Sequence, residues 1–159
     1  RGGYGNSKML APENRTLKNA YLVSRWLIEK SVARLRRDNY TASQFSLFLR
    51  IQNPKSRWGN SIKTYYSQDT AHFLDINRRL WRMMYSQKQP YLISSISVHL
   101  GNILPLNNRP GEMLLPMEMA KKNDRERLSR TLDTINKRFG ASTITYGINK
   151  AHNGFFERG

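Results

Sequence analysis

The chain contains no cysteine, which excludes a disulfide framework and any metal site built from thiolates. It has no run of about 18 apolar residues and no secretory leader, so the sequence predicts neither membrane insertion nor export. The three histidines, at positions 72, 99 and 152, lack the spacing of a zinc site. No glycine-rich phosphate loop occurs either. These absences favour a cytoplasmic protein without a bound metal.

Acidic side chains are also scarce, since 11 Asp and Glu face 27 Lys and Arg, which gives a net charge of +16. The hydrophobic share of 38% is nevertheless sufficient for a packed core. So large a cationic excess attracts phosphates, and it favours a folded protein with a polyanionic partner, above all nucleic acid. A basic protein that its charge merely keeps soluble is the alternative.

Charge and composition divide the chain near residue 106. Residues 1–106 carry 17 basic and 5 acidic side chains, whereas residues 107–159 carry 10 and 6. The sequence therefore predicts a basic domain over residues 1–106, a proline-containing linker over 107–122 and a C-terminal extension over 123–159. The chain starts without an initiator Met, which suggests a piece of a longer protein.

The apolar pattern of the basic domain predicts strands that alternate with two long helices. The first helix follows Thr16 as its N-cap and ends near Asp38, and the second lies between Thr70 and Pro90. In QFSLFLRI (44–51) every second residue is apolar, which is typical of a half-buried strand. The element order predicts an α+β fold, a four-stranded β-sheet with two helices on one face (βαββαβ), followed by a C-terminal linker, helix and strand.

Shorter segments carry local predictions. NPKSRWGN (53–60) is rich in turn formers and predicts a long basic loop between two strands. In the last strand of the domain the predicted core residues are Leu92, Ile96, Val98 and Leu100.

The C-terminal helix is predicted to begin at a capping box of Asn123 and Glu126 and to end at Gly140. Its predicted packing stripe consists of Leu128, Leu132, Ile135 and Phe139. The strand STITYG (142–147) is predicted to follow it.

Aromatic residues fall into two groups. Trp26, Phe73 and Trp81 have helical spacing and are predicted to pack in the core. Phe48, Trp58 and Tyr65 lie on or beside strands at positions of polar parity. There each ring either stacks on a sugar or base, or contacts a neighbouring domain or the segment 107–159. The pattern leaves both roles open.

No active site is recognisable in the sequence. Nucleotidyl transfer by two metal ions needs carboxylates that converge on one point. The acidic residues of the basic domain are instead scattered beside basic neighbours, which predicts surface pairing. They are Glu13, Glu29, Asp38, Asp69 and Asp75.

The segments YGNSKMLAPENRT and VARLRRDNYTA resemble the start of the little finger, the extra DNA-binding domain of Y-family translesion DNA polymerases. The family pattern is Gly-His-Ser-basic-x-Leu-x-Pro-Glu-x-Arg, followed by a helix that ends Arg-Leu-Arg-Arg; here Asn6 replaces the usual His. The matching residues are Gly5, Ser7, Lys8, Leu10, Pro12, Glu13 and Arg15, then Arg34, Leu35, Arg36 and Arg37. Beyond residue 106, RERLSRTLDTINKRFGASTITYG resembles the C-terminal extension of UmuC-type polymerases, with Asn136, Arg138 and Gly140 in place.

This resemblance implies a non-catalytic DNA-binding fragment of a translesion DNA polymerase, which serves DNA repair and SOS-type damage tolerance. Such a fragment grips primer-template duplex by its phosphates without sequence specificity. The implied phosphate-facing residues lie opposite the helices: Asn6, Ser7, Lys8, Ser46, Arg50, Arg57, Ser61, Lys63, Ser95, Ser97 and His99. Arg34, Arg36 and Arg37 match the helix motif, but a solvated helix end or a contact with the polymerase core fits them equally.

The resemblance further implies that no cofactor binds this fragment and that Mg²⁺ belongs only to the missing catalytic region. Its implied partners are duplex DNA and the polymerase core of the same chain, in a bacterial, cytoplasmic and nucleoid-associated setting without a membrane. A protein-interaction module of a catalytically degenerate polymerase-like protein is the alternative. An RNA-binding domain that uses exposed aromatics on its sheet is a third interpretation.

A sliding-clamp motif resembling Gln-Leu-x-Leu-Phe is expected in the linker of such polymerases. The segment EMLLP occupies that place, with Glu112 for the glutamine and Pro116 for the terminal aromatic. Met113, Leu114 and Leu115 therefore either bind the clamp or pin the linker to the domain surface.

Overall fold

The computed structural model describes residues 2–108 and 125–134. Four strands and two long helices follow in the order β1 (Gly3–Met9), α1 (Leu17–Arg37), β2 (Tyr40–Gln52), β3 (Ser56–Ser67), α2 (Thr70–Lys88) and β4 (Leu92–Pro105). A third helix, α3, covers residues 125–134. The strands form one antiparallel sheet in the order β1-β4-β2-β3. The predicted α+β fold is thereby confirmed.

Both long helices begin and end where their capping residues allow. The Thr16 hydroxyl accepts a hydrogen bond from the backbone N–H of Asn19 at 3.2 Å, and the Asp69 carboxylate accepts one from Ala71 at 3.1 Å. Asn39 and Gln89 then adopt positive φ angles of 59° and 46° just beyond the two C-termini. The predicted helix bounds at Thr16, Asp38 and Thr70 are therefore confirmed.

The core lies between the sheet and α1 with α2. Along β2 the alternate residues Phe45, Leu47, Leu49 and Ile51 are buried against these helices. Each such side chain contributes about 1.5–3 kcal/mol when it is removed from water. Trp26, Phe73 and Trp81 are buried as predicted. In the described ranges no helix is long and apolar enough to cross a bilayer.

The predicted long loop at 53–60 is wrong. β3 begins already at Ser56, and Arg57 pairs with Arg50, so only three residues connect the two strands. Asn53 adopts a φ of 56°, which lets so short a connection close. Trp58, whose role the sequence left open, is only 7% exposed and lies on the helix side, and its indole N–H donates to Gln87 Oε1 at 2.7 Å.

The predicted core position of Leu92 is also wrong, because β4 contains a bulge. Arg50 pairs with Ser95 but Ile51 pairs with Ile93, so β4 has one residue more than β2 at this point. The extra residue shifts the alternation, which buries Ile93 completely and leaves Leu92 only partly buried. The other predicted core residues, Ile96, Val98 and Leu100, are confirmed.

Helix α3 differs from its predicted packing. Leu128 is 52% exposed, whereas Glu126 and Ser129 are buried. The reason is that α3 docks on polar groups at the end of α1 and the start of α2. The predicted Asn123 cap, Ile135, Phe139 and the strand at 142–147 lie outside the described residues, as do the EMLLP segment and most of the linker.

Candidate nucleic-acid interface

The sheet has one face that no described helix covers, which we call the open face. Strand alternation and the pairing register place on it four residues from each strand. They are Gly3, Gly5, Ser7 and Met9 of β1, Ser95, Ser97, His99 and Gly101 of β4, Gln44, Ser46, Phe48 and Arg50 of β2, and Arg57, Gly59, Ser61 and Lys63 of β3. No acidic residue occurs among these sixteen positions.

Three exposed cations stand on the open face. Arg50 and Arg57 lie directly opposite one another on β2 and β3, and Lys63 pairs with Gln44 near the other end of β3. Within the described part of the chain none of the three forms an ion pair with a carboxylate. Because like charges directly opposite each other on neighbouring strands are destabilising, the Arg50–Arg57 pair favours an external anion between the strands.

A basic groove adjoins this arginine pair at the β2–β3 turn. It measures about 770 Å³, and its walls include Arg15, Arg50, Lys55 and Arg57. Arg15 is held in place there, since its Nε donates to the Leu10 carbonyl at 2.9 Å and its Nη1 to Gln52 Oε1 at 2.8 Å. Arg15 and Lys55 are absent from the predicted phosphate-facing residues. The only sequence signals were the place of Arg15 in the resembling motif and the turn beside Lys55.

Serine hydroxyls occupy the middle of the open face in pairs. Ser46 Oγ lies 2.6 Å from Ser61 Oγ across β2 and β3, and Ser7 Oγ contacts Ser97 Oγ across β1 and β4. In each pair one hydroxyl donates to the other, whose own proton stays available. Each pair therefore offers one donor to a ligand such as a phosphate oxygen.

Two predicted residues, Asn6 and Lys8, do not lie on the open face. Asn6 Nδ2 donates to Ser31 Oγ at 2.9 Å and thereby ties β1 to α1. Lys8 has the same strand parity as Asn6, so it lies on the helix side of β1. It is close to Lys30 of α1, because the pKa of Lys30 is lowered by burial first and then by the positive charges of Arg34 and Lys8. The prediction that both face away from the helices is wrong, because Ser7 points outward and its neighbours must point inward. The other nine predicted residues lie on the open face.

Of the three aromatic residues whose role the sequence left open, one lies on the open face and two pack against other parts of the domain. Phe48 lies on the open face, as its parity predicts. Trp58 packs in the core, and Tyr65 stacks on His72 of α2 with 4.3 Å between ring centroids. The described residues contain no cluster of three potential metal ligands.

A family model described as the impB/mucB/samB family C-terminal domain matches residues 1–113. The chain belongs to this family. The predicted resemblance to the little finger of Y-family polymerases is confirmed over this range. Among curated proteins, none matches the sequence.

Solved Y-family polymerases share the fold. A Y-family DNA polymerase chimera of Dbh and Dpo4 is 15% identical, with a TM-score of 0.54 over 66% of this chain and 29% of that chain. A post-insertion binary complex of Dbh DNA polymerase is also 15% identical, with a TM-score of 0.53 over 65% of this chain and 29% of that chain. The chain thus spans less than a third of the length of these polymerases.

In this member of the impB/mucB/samB family, the arginines at the end of α1 make contacts within the chain. Arg36 is 5% exposed. Its guanidinium donates to the Gln68 carbonyl at 2.7 Å, to Thr70 Oγ1 at 2.8 Å and to both carboxylate oxygens of Asp133 on α3. Arg34 Nη2 donates to the Gly5 carbonyl at 2.7 Å. Arg37 is largely exposed and lies 3.2 Å from Asp38. Arg36 is therefore a structural residue.

A second ion pair completes the contact between α3 and the domain. Arg125 Nε lies 3.0 Å from Oδ2 of the buried Asp69, and Ser129 Oγ lies 3.4 Å from its Oδ1. Burial raises the pKa of the Asp69 carboxyl, against the opposing effect of Arg125. We call the four charged residues Arg36, Asp69, Arg125 and Asp133 the junction cluster. It lies at the α1 and α2 ends, away from the open face.

Proposed function

We propose that this chain is a non-catalytic DNA-binding part of a translesion polymerase, which grips primer-template duplex by its phosphates without sequence preference. The observation that carries the proposal is the Arg50–Arg57 pair, two exposed arginines directly opposite each other on neighbouring strands of a surface without acidic positions. An anion between them relieves their repulsion, and a DNA backbone supplies such anions at regular intervals.

The chemistry of the open face suits phosphates better than base edges. Arginine forks bind phosphate oxygens through two parallel hydrogen bonds, and serine hydroxyls add neutral donors. Contacts to the backbone fix position and register but carry no sequence information. A polymerase that must pass damaged or varied template needs a grip of this kind.

The remaining parts of the proposal concern the longer protein. The parent is proposed to be a DNA-directed polymerase of bacterial cytoplasm and nucleoid, whose own catalytic region supplies the Mg²⁺-binding carboxylates and contacts this domain. Membership of the impB/mucB/samB family and the fold shared with Y-family polymerases support it. Clamp binding through residues 112–116 belongs to the same proposal, and an unchanged clamp affinity of a Leu115→Ala variant would remove it.

The proposal is tested by fluorescence anisotropy with random-sequence duplexes. Arg50→Glu combined with Arg57→Glu should weaken binding about ten-fold or more at low salt, and equally for every sequence. Arg79→Glu with Arg82→Glu is the matched control, because it changes the net charge equally at two exposed positions of α2. Equal losses in both double variants would show that only net charge matters, and the open face would then not be the binding surface.

A further inference from the structure

Phe48 stands near the centre of the open face, where a phosphate-binding surface has no use for an apolar ring. It lies on β2, an inner strand, and is 49% exposed. Its partner across the sheet is Gly59, at which a Cβ atom would lie only 2.5 Å from Phe48 Cδ1 and 2.9 Å from Cε1. The ring therefore lies down over the glycine, and one of its faces is turned to solvent.

His99 on the other inner strand, β4, has the same kind of support. A Cβ atom at Gly3 would lie 2.5 Å from His99 Nε2, one at Gly5 3.3 Å from Cδ2, and one at Gly101 3.4 Å from Cε1. The imidazole thus rests on backbone that three glycines leave bare. In the described part of the chain neither His99 nor Phe48 forms a ring–ring or cation–π interaction.

The two rings lean toward opposite edges of the sheet, Phe48 over Gly59 of β3 and His99 over Gly3 and Gly5 of β1. His99 pairs with Ser46 and Ser97 pairs with Phe48, so Phe48 and His99 are diagonal neighbours on the inner strands. The backbones of such neighbours are about 7–8 Å apart. Because the rings lean away from each other, each offers its own stacking surface to a strand that crosses the sheet. Sheets with aromatic residues on their surface bind two or three successive unpaired bases in this way.

We propose that Phe48 and His99 form a platform of two separate stacking surfaces for unpaired bases of a single DNA strand, whose phosphates lie near Arg50, Arg57 and Lys63. The polyanionic character of this ligand rests on the proposed function. An unpaired strand fits because its bases expose flat π faces, whereas duplex turns mainly sugar and charged phosphate toward a flat surface. The absence of acidic positions on the open face suits the same ligand.

The platform makes the glycines part of the site. An alanine at Gly59 would push the Phe48 ring off the sheet, since its Cβ atom has no room beneath the ring. Gly59→Ala should therefore impair stacking although it leaves every charge and hydroxyl of the open face unchanged. Gly2, at which a Cβ atom meets nothing within 4 Å, provides the matched glycine control.

The test compares three probes on the whole chain: an oligothymidylate of about ten nucleotides, an abasic strand with the same number of phosphates, and a random duplex. Wild type should prefer the oligothymidylate to the abasic strand by about five-fold or more. Phe48→Leu, which keeps an apolar side chain without a π face, and His99→Ala should each remove most of this preference. Phe48→Trp should keep it. In the Phe48 variants, binding to abasic strand and duplex should change less than about two-fold, because they leave every cation and hydroxyl of the open face in place.

A strand with 2-aminopurine gives a direct signature, since stacking quenches its fluorescence in wild type and Phe48→Trp but less in Phe48→Leu and Gly59→Ala. Equal affinity of wild type for abasic strand and oligothymidylate would overturn the platform. An unchanged preference for oligothymidylate over the abasic strand in both Phe48→Leu and His99→Ala would also overturn it, and Phe48 would then be a contact for another protein. In either case a duplex affinity that still depends on Arg50 and Arg57 would leave the proposed function standing.

Discussion

The open face and the junction cluster both contain arginines, but the environments of these arginines differ. Arg36 is buried, and its guanidinium is shared among a backbone carbonyl, a hydroxyl and a carboxylate. Arg50 and Arg57 are exposed and face each other. The basic residues that produce the net charge of +16 therefore include some that stabilise the fold and others that remain available to a ligand. The stabilising arginine lies at the helix ends, whereas the available arginines lie on the open face of the sheet.

The energetic consequence is that the two sets should respond to different measurements. A buried guanidinium has lost its water, so removal of any partner leaves an uncompensated polar group. An exposed guanidinium keeps its hydration, and its loss changes stability little. Variants of the junction cluster should therefore change unfolding, whereas variants of the open face should change binding.

Arg36→Ala is expected to give the largest effect. It leaves Asp133, Thr70 and the Gln68 carbonyl without their common donor, and it should lower the free energy of unfolding by about 3–5 kcal/mol. Arg50→Ala, the comparison variant, should change it by less than about 0.5 kcal/mol. Urea denaturation measures both. Similar stabilities of the two variants would contradict the division between buried and exposed arginines.

Asn6→Ala and Ser7→Ala give a smaller effect at adjacent positions that face opposite sides of the sheet. Asn6→Ala removes the donor to the buried Ser31 hydroxyl and should cost about 1–3 kcal/mol of unfolding free energy without changing the duplex affinity. Ser7→Ala should leave stability within about 0.5 kcal/mol and weaken duplex binding slightly. Thermal unfolding measures the stability of both variants, and fluorescence anisotropy on the same samples measures their duplex affinity. A binding loss confined to Asn6→Ala would restore the sequence-based assignment.

Asp69 gives the smallest effect and one that depends on pH. Asp69→Ala removes the N-cap of α2 and should cost about 1 kcal/mol, whereas Asp69→Asn keeps an N-cap acceptor and should be neutral or slightly stabilising at pH 7. Because burial raises the pKa of Asp69 in the folded state, its ionisation opposes folding.

The advantage of Asp69→Asn over wild type should therefore be absent at low pH and grow as the pH rises above the ordinary value of 3.8. Unfolding measured across acidic and neutral pH follows this difference. If wild type instead gains stability over Asp69→Asn as the pH rises, the ion pair with Arg125 outweighs the cost of burial.

The sequence predicted those parts of the fold that repeat along the chain. The alternation of Phe45, Leu47, Leu49 and Ile51 defined the inner face of β2, and capping residues such as Thr16 located the helix ends. Because the alternation also fixes the opposite face, it placed Ser46 and Arg50 correctly on the side of the sheet away from the helices, and their DNA-binding role stays a prediction.

What the sequence did not predict depends on contacts between distant residues. The bulge beside Ile93 arises from pairing between β2 and β4, and the tight turn at 53–55 from the pairing of Arg50 with Arg57. Asn6 and Lys8 were assigned by resemblance rather than by alternation, and alternation would have placed them inward. The sequence does not distinguish Arg36 from Arg34 and Arg37, because the contact of Arg36 with Asp133 joins residues far apart in the chain.

The most direct measurement is the salt dependence of binding to random duplex. Arg50→Gln with Arg57→Gln, which removes two proposed phosphate contacts, should lower the slope of log affinity against log salt concentration by about two, between about 50 and 200 mM salt. Arg79→Gln with Arg82→Gln, the control on α2, should leave that slope unchanged. Equal slopes in all three proteins, or a change confined to the α2 variant, would contradict the claim that the open face grips the phosphates of DNA.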